Sequence, residues 1–479
     1  MRGLRLINMF YPKIIQGGMG VGVSNWVLAR AVSIAGQLGV VSGTALDIVL
    51  TRRLQSGDPE GHVRRALDHF PFPEMARRVW EQYFVEGGIP EGQPFKPVPM
   101  MSATPHQNVL ELHTLANFVE VFLAKAGHAG AVGINFLEKI QMPTLSCIFG
   151  AMLAGVDFIL MGAGIPRSIP GVLDLFAKGE PAKLKLDVIG ATPEQEYSVS
   201  FDPKAFCGGE APCLKRPNFL AIITSATLAL TLSRKSNGKV DGFIVEGETA
   251  GGHNAPPRGQ MQLSEKGEPI YGERDIPDLK KIADIGLPFW LAGSYGAPGK
   301  LAEALALGAV GVQVGTAFAF CEESGVAPEI RAQVIEGAFA GTLQVKTDPL
   351  ASPTGFPFKV LQVEGSVSSQ AIYSARTRVC DLGYLRHPYR KEDGTLGYRC
   401  AAEPVANYLR KGGHENDVLG RTCVCNGLVA TIGLGQVLAG GKIEPPLLTA
   451  GDDVINLKRF IKPGAKTYTA QDVIDALLS

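Results

Sequence analysis

A histidine that closes a glycine-rich turn is the side chain of this sequence best placed for chemistry. In VDGFIVEGETAGGHN, residues 240–254, an apolar run ends among Gly247, Gly251 and Gly252 and delivers His253. Glycines let a backbone pass close to a flat ligand because no Cβ intervenes. An imidazole can take or give a proton near neutral pH. Two further turns are suited to an anion. The runs Ala292-Gly293-Ser294-Tyr295-Gly296 and Gln313-Val314-Gly315-Thr316 each join glycine backbone to a hydroxyl, and AFAF after Thr316 could open a short helix. Backbone N–H and side-chain O–H donors grouped in this way suit a phosphate.

Each of these turns follows a short apolar run, and such runs recur along the chain. They lie at 13–20, 38–42, 131–137, 156–162, 219–224, 240–246, 288–292 and 310–315. Runs without alternation suit strands buried on both faces, as in a parallel sheet. Helical stretches separate them. Ser24 and Ser225 are expected as helix N-caps, and Gly308 as the stop of a helix over 300–307. Residues 107–126 predict an amphipathic helix with Leu110, Leu115, Phe118, Phe122 and Leu123 on one side. The expected fold class is α/β, a (β/α)8 TIM barrel with helical insertions and an extra C-terminal region. Residues 1–350 form the barrel, with insertions near 47–100 and 190–217, and residues 351–479 form a C-terminal region packing on it. Residues 184–189 rival 219–224 as the fifth strand. In the first insertion, residues 51–84 read as helical and 86–99 as a Pro/Gly-rich loop. Its basic pairs Arg52-Arg53, Arg64-Arg65 and Arg77-Arg78 read as a solvated face. Residues 254–275 are polar and rich in Gly and Pro, a lid over the site in which Arg258 could meet an anionic substrate.

Barrels of this kind carry their sites at the C-terminal ends of the strands, with phosphate often held after strands seven and eight. A ligand anchored there would cross the mouth past Gly251 and Gly252 towards Asn135 and the turn of Gly17, Gly18 and Met19. One phosphate on a long flat body fits FMN. No GxGxxG of dinucleotide spacing follows the first strand, since GGMGVG is spaced differently. The expected cofactor contacts are Gly18, Met19, Asn135, Glu246, Gly251, Gly252, Ala292, Gly293, Ser294, Gln313, Gly315 and Thr316, with His253 catalytic.

Composition narrows the remaining classes. With 46 basic and 46 acidic residues among 479, the formal charge is zero, so nothing suggests a nucleic-acid partner. The N-terminal residues, MRGLRLINMFYPKII, lack a leader pattern, and no apolar run reaches a membrane span. A cytoplasmic enzyme with a small-molecule substrate is expected, with a homo-oligomer left open and no membrane partner. The eight cysteines are then thiols or ligands rather than disulfides. Cys380, Cys400, Cys423 and Cys425 stand 20, 23 and 2 residues apart without a paired C-x-x-C, so the expected metal content is none, with these four as the first candidates and Cys207 with Cys213 behind them. The other seven histidines have no metal-binding spacing and are read as structural.

The sequence resembles the nitronate monooxygenase family, formerly 2-nitropropane dioxygenases, which is related to FMN-dependent enoyl-ACP reductases. The resemblance rests on IIQGGMG, the GIN of the third strand, AGGH, and above all LAGSYGAPGKLAEALALGAVGVQVGTAF, with DPLASPTGFP after the barrel. It implies a non-covalent FMN flavoprotein, an oxidoreductase that oxidises alkyl nitronates with oxygen. It places the phosphate at Gly293, Ser294, Gly315 and Thr316, the isoalloxazine on Gly18, Met19 and Asn135, and a catalytic role on His253. Three positions depart from the family pattern. Glu246 stands where glutamine is usual, Thr249 is the nearest match to a usual glutamate before the GGH glycines, and Ser294 replaces a second glycine. An NAD(P)H-dependent enoyl reductase and a silent flavin-binding or scaffold protein are the alternative readings.

Overall fold

A computed structural model describes residues 11–479, so the first ten residues of the N-terminal segment read above lie outside the described residues. Eight parallel strands close into a barrel: Ile14–Gln16, Leu38–Ser42, Val132–Leu137, Phe158–Gly162, Asn218–Ile223, Gly242–Glu246, Phe289–Ala292 and Gly311–Val314. Each pairs with its neighbours in chain order, and the eighth returns to the first with Gln16 opposite Val314. The barrel holds a packed interior. Ile15, Leu38, Val40, Leu160, Leu220, Ile244 and Trp290 form one cluster inside it. Trp290 Nε1 donates to Pro12 O at 2.7 Å, which satisfies the indole inside an apolar layer.

The fifth strand is Asn218–Ile223, and Ser225 caps the helix after it by accepting from Leu228 N. The rival stretch enters a different element. Ala182–Lys185 pairs antiparallel with Ser198–Phe201, its side chains alternating between buried and exposed. A hairpin buried on one face leaves that alternation. Ser24 does not cap the first helix, Trp26–Ile34; Asn25 does, accepting from Leu28 N. Ser24 is instead spent on the turn before it. Its Oγ accepts from Met19 N and donates to Gly17 O, both at 2.9 Å.

The helix Gln107–Lys125 is buried on nearly every side rather than on one face. The reason lies in the insertion, whose helices Leu46–Gln55, His62–Leu67 and Pro73–Tyr83 cover its outer side. Its acidic residues are paired from there: Arg53 Nη1 meets Glu120 at 2.6 Å and Arg78 Nη2 meets Glu111 at 2.7 Å. The solvated-face reading therefore fails for Arg53, which is partly buried, and for Arg52, which is buried and donates to Leu434 O at 2.6 Å, while Arg78 is exposed as expected. It describes Arg64 and Arg77, whose carboxylate partners are exposed.

Beyond the eighth strand the chain forms two hairpins, Gln344–Asp348 with Phe358–Gln362, which joins the C-terminal region to the segment before it, and His387–Arg390 with Leu396–Arg399. The backbone of the C-terminal region is stitched to the loop after strand six. Lys359 N donates to Gly252 O, Asn254 N to Pro357 O, and Asp452 N to Thr249 O. Among the described residues, no helix is long and apolar enough to cross a membrane.

Candidate functional site

Strand ends, loops and the C-terminal region enclose a cavity at the barrel mouth. It measures about 220 Å³ as the space open to the centre of a water molecule. Strand six delivers Glu246 to its wall. The chain then turns through Gly247, whose N–H donates to Ala292 O at 3.0 Å, and reaches Gly251, Gly252 and His253. Ala292, Gly293 and Ser294 face in from the seventh strand end, and Gln313, Gly315 and Thr316 from the eighth. Gly18 and Met19 close the side next to Asn135. The fit there is tight: a Cβ on Gly18 would stand 2.4 Å from Asn135 Cβ. Ser294 has a left-handed backbone, φ 57°, beside Gly293 at φ 96°. A serine held in that conformation stores strain of the kind found at ligand-binding turns.

Two side chains are incomplete as they stand. Asn135 Oδ1 and Gln313 Oε1 are buried without a hydrogen-bond partner, and both residues line the cavity. Buried amides normally find partners, so a ligand with donors and acceptors along its edge fits between them. The residues present are of the kind a flat ligand with one phosphate needs: Gly293, Ser294, Gly315 and Thr316 group backbone and hydroxyl donors, and the two amides face the turn of Gly18 and Met19. Thr316 Oγ1 already accepts from Gly451 N at 2.8 Å, so the hydroxyl proton is what it has to offer. The helix after it, Thr316–Ala319, is a single turn, so its dipole adds little beyond individual donors. Gly251 has a different neighbour from the flat ligand expected for it. A Cβ there would meet Ala450 C and Gly451 N at 2.8 Å, so that glycine admits the C-terminal chain.

His253 is half-buried, and its Nε2 lies 2.7 Å from Ser352 Oγ, which lies 2.8 Å from Thr354 Oγ1. Phe358 packs on the ring at 4.7 Å between centroids. Burial, with no counter-charge to offset it, pushes the imidazole down to about 4. The same desolvation pushes the Glu246 carboxyl up to about 8. Both groups are therefore neutral at pH 7. Arg258 does not join them: it is exposed, and its guanidinium donates to Thr224 O at 3.3 Å.

Several wall residues carried no usable signal in the sequence. Phe358, Thr449, Ala450, Gly451 and Asp453 all line the cavity from the C-terminal region. TAGDD reads there as an ordinary small-residue turn. Thr449 Oγ1 accepts from Gly252 N at 2.8 Å, a contact spanning 197 residues of chain. The four C-terminal cysteines do come together around a void of about 10 Å³, outside the barrel mouth. All eight cysteines are free thiols. Among the described residues, no three histidine, cysteine or acidic side chains are arranged to hold a metal ion.

Comparison with known proteins bears on the same half of the barrel. The nitronate monooxygenase family model matches residues 178–349, which contain strands five to eight. A probable nitronate monooxygenase of Bacillus subtilis (strain 168) is 33% identical over 130 residues, 27% of this chain and 35% of that protein. The chain thus spans about a third of the length of that curated relative. Among solved structures, FabK from Thermotoga maritima aligns over 98% of this chain and 91% of its own, at 15% identity and a TM-score of 0.46. A nitroalkane oxidase from Streptomyces ansochromogenes aligns over 98% and 96%, at 17% identity and a TM-score of 0.43. The chain resembles the nitronate monooxygenase family across the strands that carry its glycine-rich turns.

Proposed function

We propose that this chain is an FMN-dependent oxidoreductase of nitronate monooxygenase type, which oxidises alkyl nitronates with molecular oxygen. The observation that carries the reading is the pair of buried, unpartnered amide oxygens of Asn135 and Gln313 in the cavity that also holds His253. Bound flavin supplies the electron acceptor that no protein side chain provides. The remaining work falls to residues of this chain. Gly293, Ser294, Gly315 and Thr316 anchor the phosphate, and Asn135 and Gln313 orient the ring edge. Glu246, protonated at neutral pH, donates a hydrogen bond from the position where a glutamine amide is usual in the family it resembles.

His253 is neutral above about pH 4 and so acts as a base rather than as a resident cation. The contact between its Nε2 and Ser352 Oγ is compatible with either tautomer. In the one whose Nε2–H donates to Ser352 Oγ, with Ser352 donating in turn to Thr354 Oγ1, the lone pair is on Nδ1. That tautomer can take the α-proton of a nitroalkane. A preformed nitronate needs no such step and requires only placement over the cofactor. Phe358 fixes the ring plane by packing.

The test is anaerobic mixing of the purified yellow protein with 2-nitropropane nitronate or propionate-3-nitronate. Flavin bleaching, and oxygen consumption when air is admitted, is the expected result. Bleaching by NADPH followed by reoxidation with a crotonyl thioester, without a response to nitronates, would replace this reading with an enoyl reductase. A colourless protein that cannot be reconstituted with FMN would remove flavin chemistry altogether.

A further inference from the structure

A second cavity of about 280 Å³, on the same measure, lies beside the first and is built largely from segments outside the eight strands. The insertion supplies its wall from Val98 to Met101, the loop after strand three supplies Ile140 and Met142, and the C-terminal region supplies Leu382 to Tyr384 and Arg386 to Pro388. The surface is mostly apolar. Ile189 and Met100 are 43% and 37% exposed at its edge, so apolar side chains remain open to solvent there. Methionine walls adapt to the irregular outline of a flexible chain.

The charged side chains that line this cavity, Asp47, Asp187, Lys139 and Arg386, balance in number but are not all paired. Asp47 is engaged by the Tyr384 hydroxyl and faces buried His113 at 3.8 Å. Lys139 is placed between Glu138 and Asp187, at 3.7 and 3.3 Å. Arg386 has no carboxylate partner among the described residues. Its Nε donates to Gly383 O and its Nη2 to Met101 O, and its ring neighbour is Tyr398, while no partner is found for Nη1. At the neighbouring His387, Lys139, Arg421 and Arg399 reinforce burial in holding the imidazole below its ordinary value, with Asp187 opposing. An apolar chamber with an unpaired guanidinium at its wall is complementary to an amphiphile with one anionic head.

We propose that this chamber binds an unbranched alkyl chain ending in a carboxylate, with the head on Arg386 and the chain along Met100, Met101, Ile140, Met142 and Leu382. The site stands whether or not the neighbouring cavity performs flavin chemistry. The two are nonetheless close, because Thr354 lines this chamber and is linked through Ser352 to His253.

Calorimetric titration of the full chain with decanoate, and with decanol as the uncharged counterpart, tests the assignment. Wild-type protein should bind decanoate. Arg386→Gln keeps an amide donor for the Met101 carbonyl but loses the charge, and should weaken decanoate about tenfold while leaving decanol unchanged. Met100→Trp, a substitution at a partly exposed edge position, should weaken both ligands by filling the mouth. Because that edge can change without disturbing the core, the test survives if Arg386→Gln does not fold. Absence of decanoate binding to the wild type, or binding indifferent to both substitutions, would overturn the proposal. Loss of flavin reactivity with decanoate binding intact would count against the oxidoreductase reading alone.

Discussion

Replacing Glu246 by glutamine probes the cavity by changing one proton and almost no volume. Burial pushes this carboxyl up to about 8, and among the described residues no cation is paired with it. The carboxylic acid is then about nine-tenths protonated at pH 7 and about nine-tenths ionised at pH 9. A carboxylate formed beside an anionic cofactor opposes binding, so FMN affinity should fall roughly tenfold for each pH unit above 8. Glutamine cannot ionise, so the variant should lack this decline and match the wild type near pH 6. The sign for stability follows from the same shift. Between the ordinary carboxyl value of 4.5 and about 8, the folded form retains a proton that the unfolded chain has released. Stability without ligand is therefore fullest below that window and falls as pH rises through it, and Glu246→Gln should flatten the fall. Fluorescence titration of FMN from pH 6 to 9.5, on both proteins in one buffer series, reads the ratio of affinities directly. Titration of the phosphate itself cancels in that ratio. A ratio that stays constant with pH would refute the buried, neutral carboxyl and the role built on it.

Other substitutions test other parts of the site and its support. His253→Ala should retain flavin and lose about 10²–10⁴ in turnover of a nitroalkane, with a smaller loss for a preformed nitronate; equal losses on the two substrates would argue against proton abstraction. Ser294→Gly should relieve a left-handed serine, raising stability by about 1 kcal/mol in denaturant unfolding, while weakening FMN through loss of the hydroxyl. Arg376→Met should cost about 3–5 kcal/mol, because it strands Glu444 in a buried bidentate pair whose second bond is 2.9 Å. Adding Glu444→Leu should recover most of that loss, and a double variant as unstable as the single one would contradict this account.

Periodicity made the barrel legible because strands buried on both faces must be apolar at consecutive positions. Phe158–Gly162, Gly242–Glu246 and Phe289–Ala292 all carry that pattern and all lie in the closed sheet. It favoured residues 219–224, apolar at successive positions, as the fifth strand over 184–189, whose alternation begins in a one-sided hairpin. It did not reveal that Gln107–Lys125 is enclosed. Glu111 and Glu120 look like an outer face until Arg78 and Arg53 arrive from the insertion to pair them.

Local chemistry was likewise readable where one turn contains all that it needs. The glycine and hydroxyl runs at 292–296 and 313–316, and His253 after its glycines, are complete within a few residues. Tertiary structure alone decided what surrounds them. Ser352 on His253, Thr449 on Gly252 and Gly451 on Thr316 are contacts across 99, 197 and 135 residues, and no local spacing encodes them. Protonation follows the same division. The sequence specifies an imidazole at 253 and a carboxyl at 246, but only the enclosing walls remove enough water to leave both neutral at pH 7.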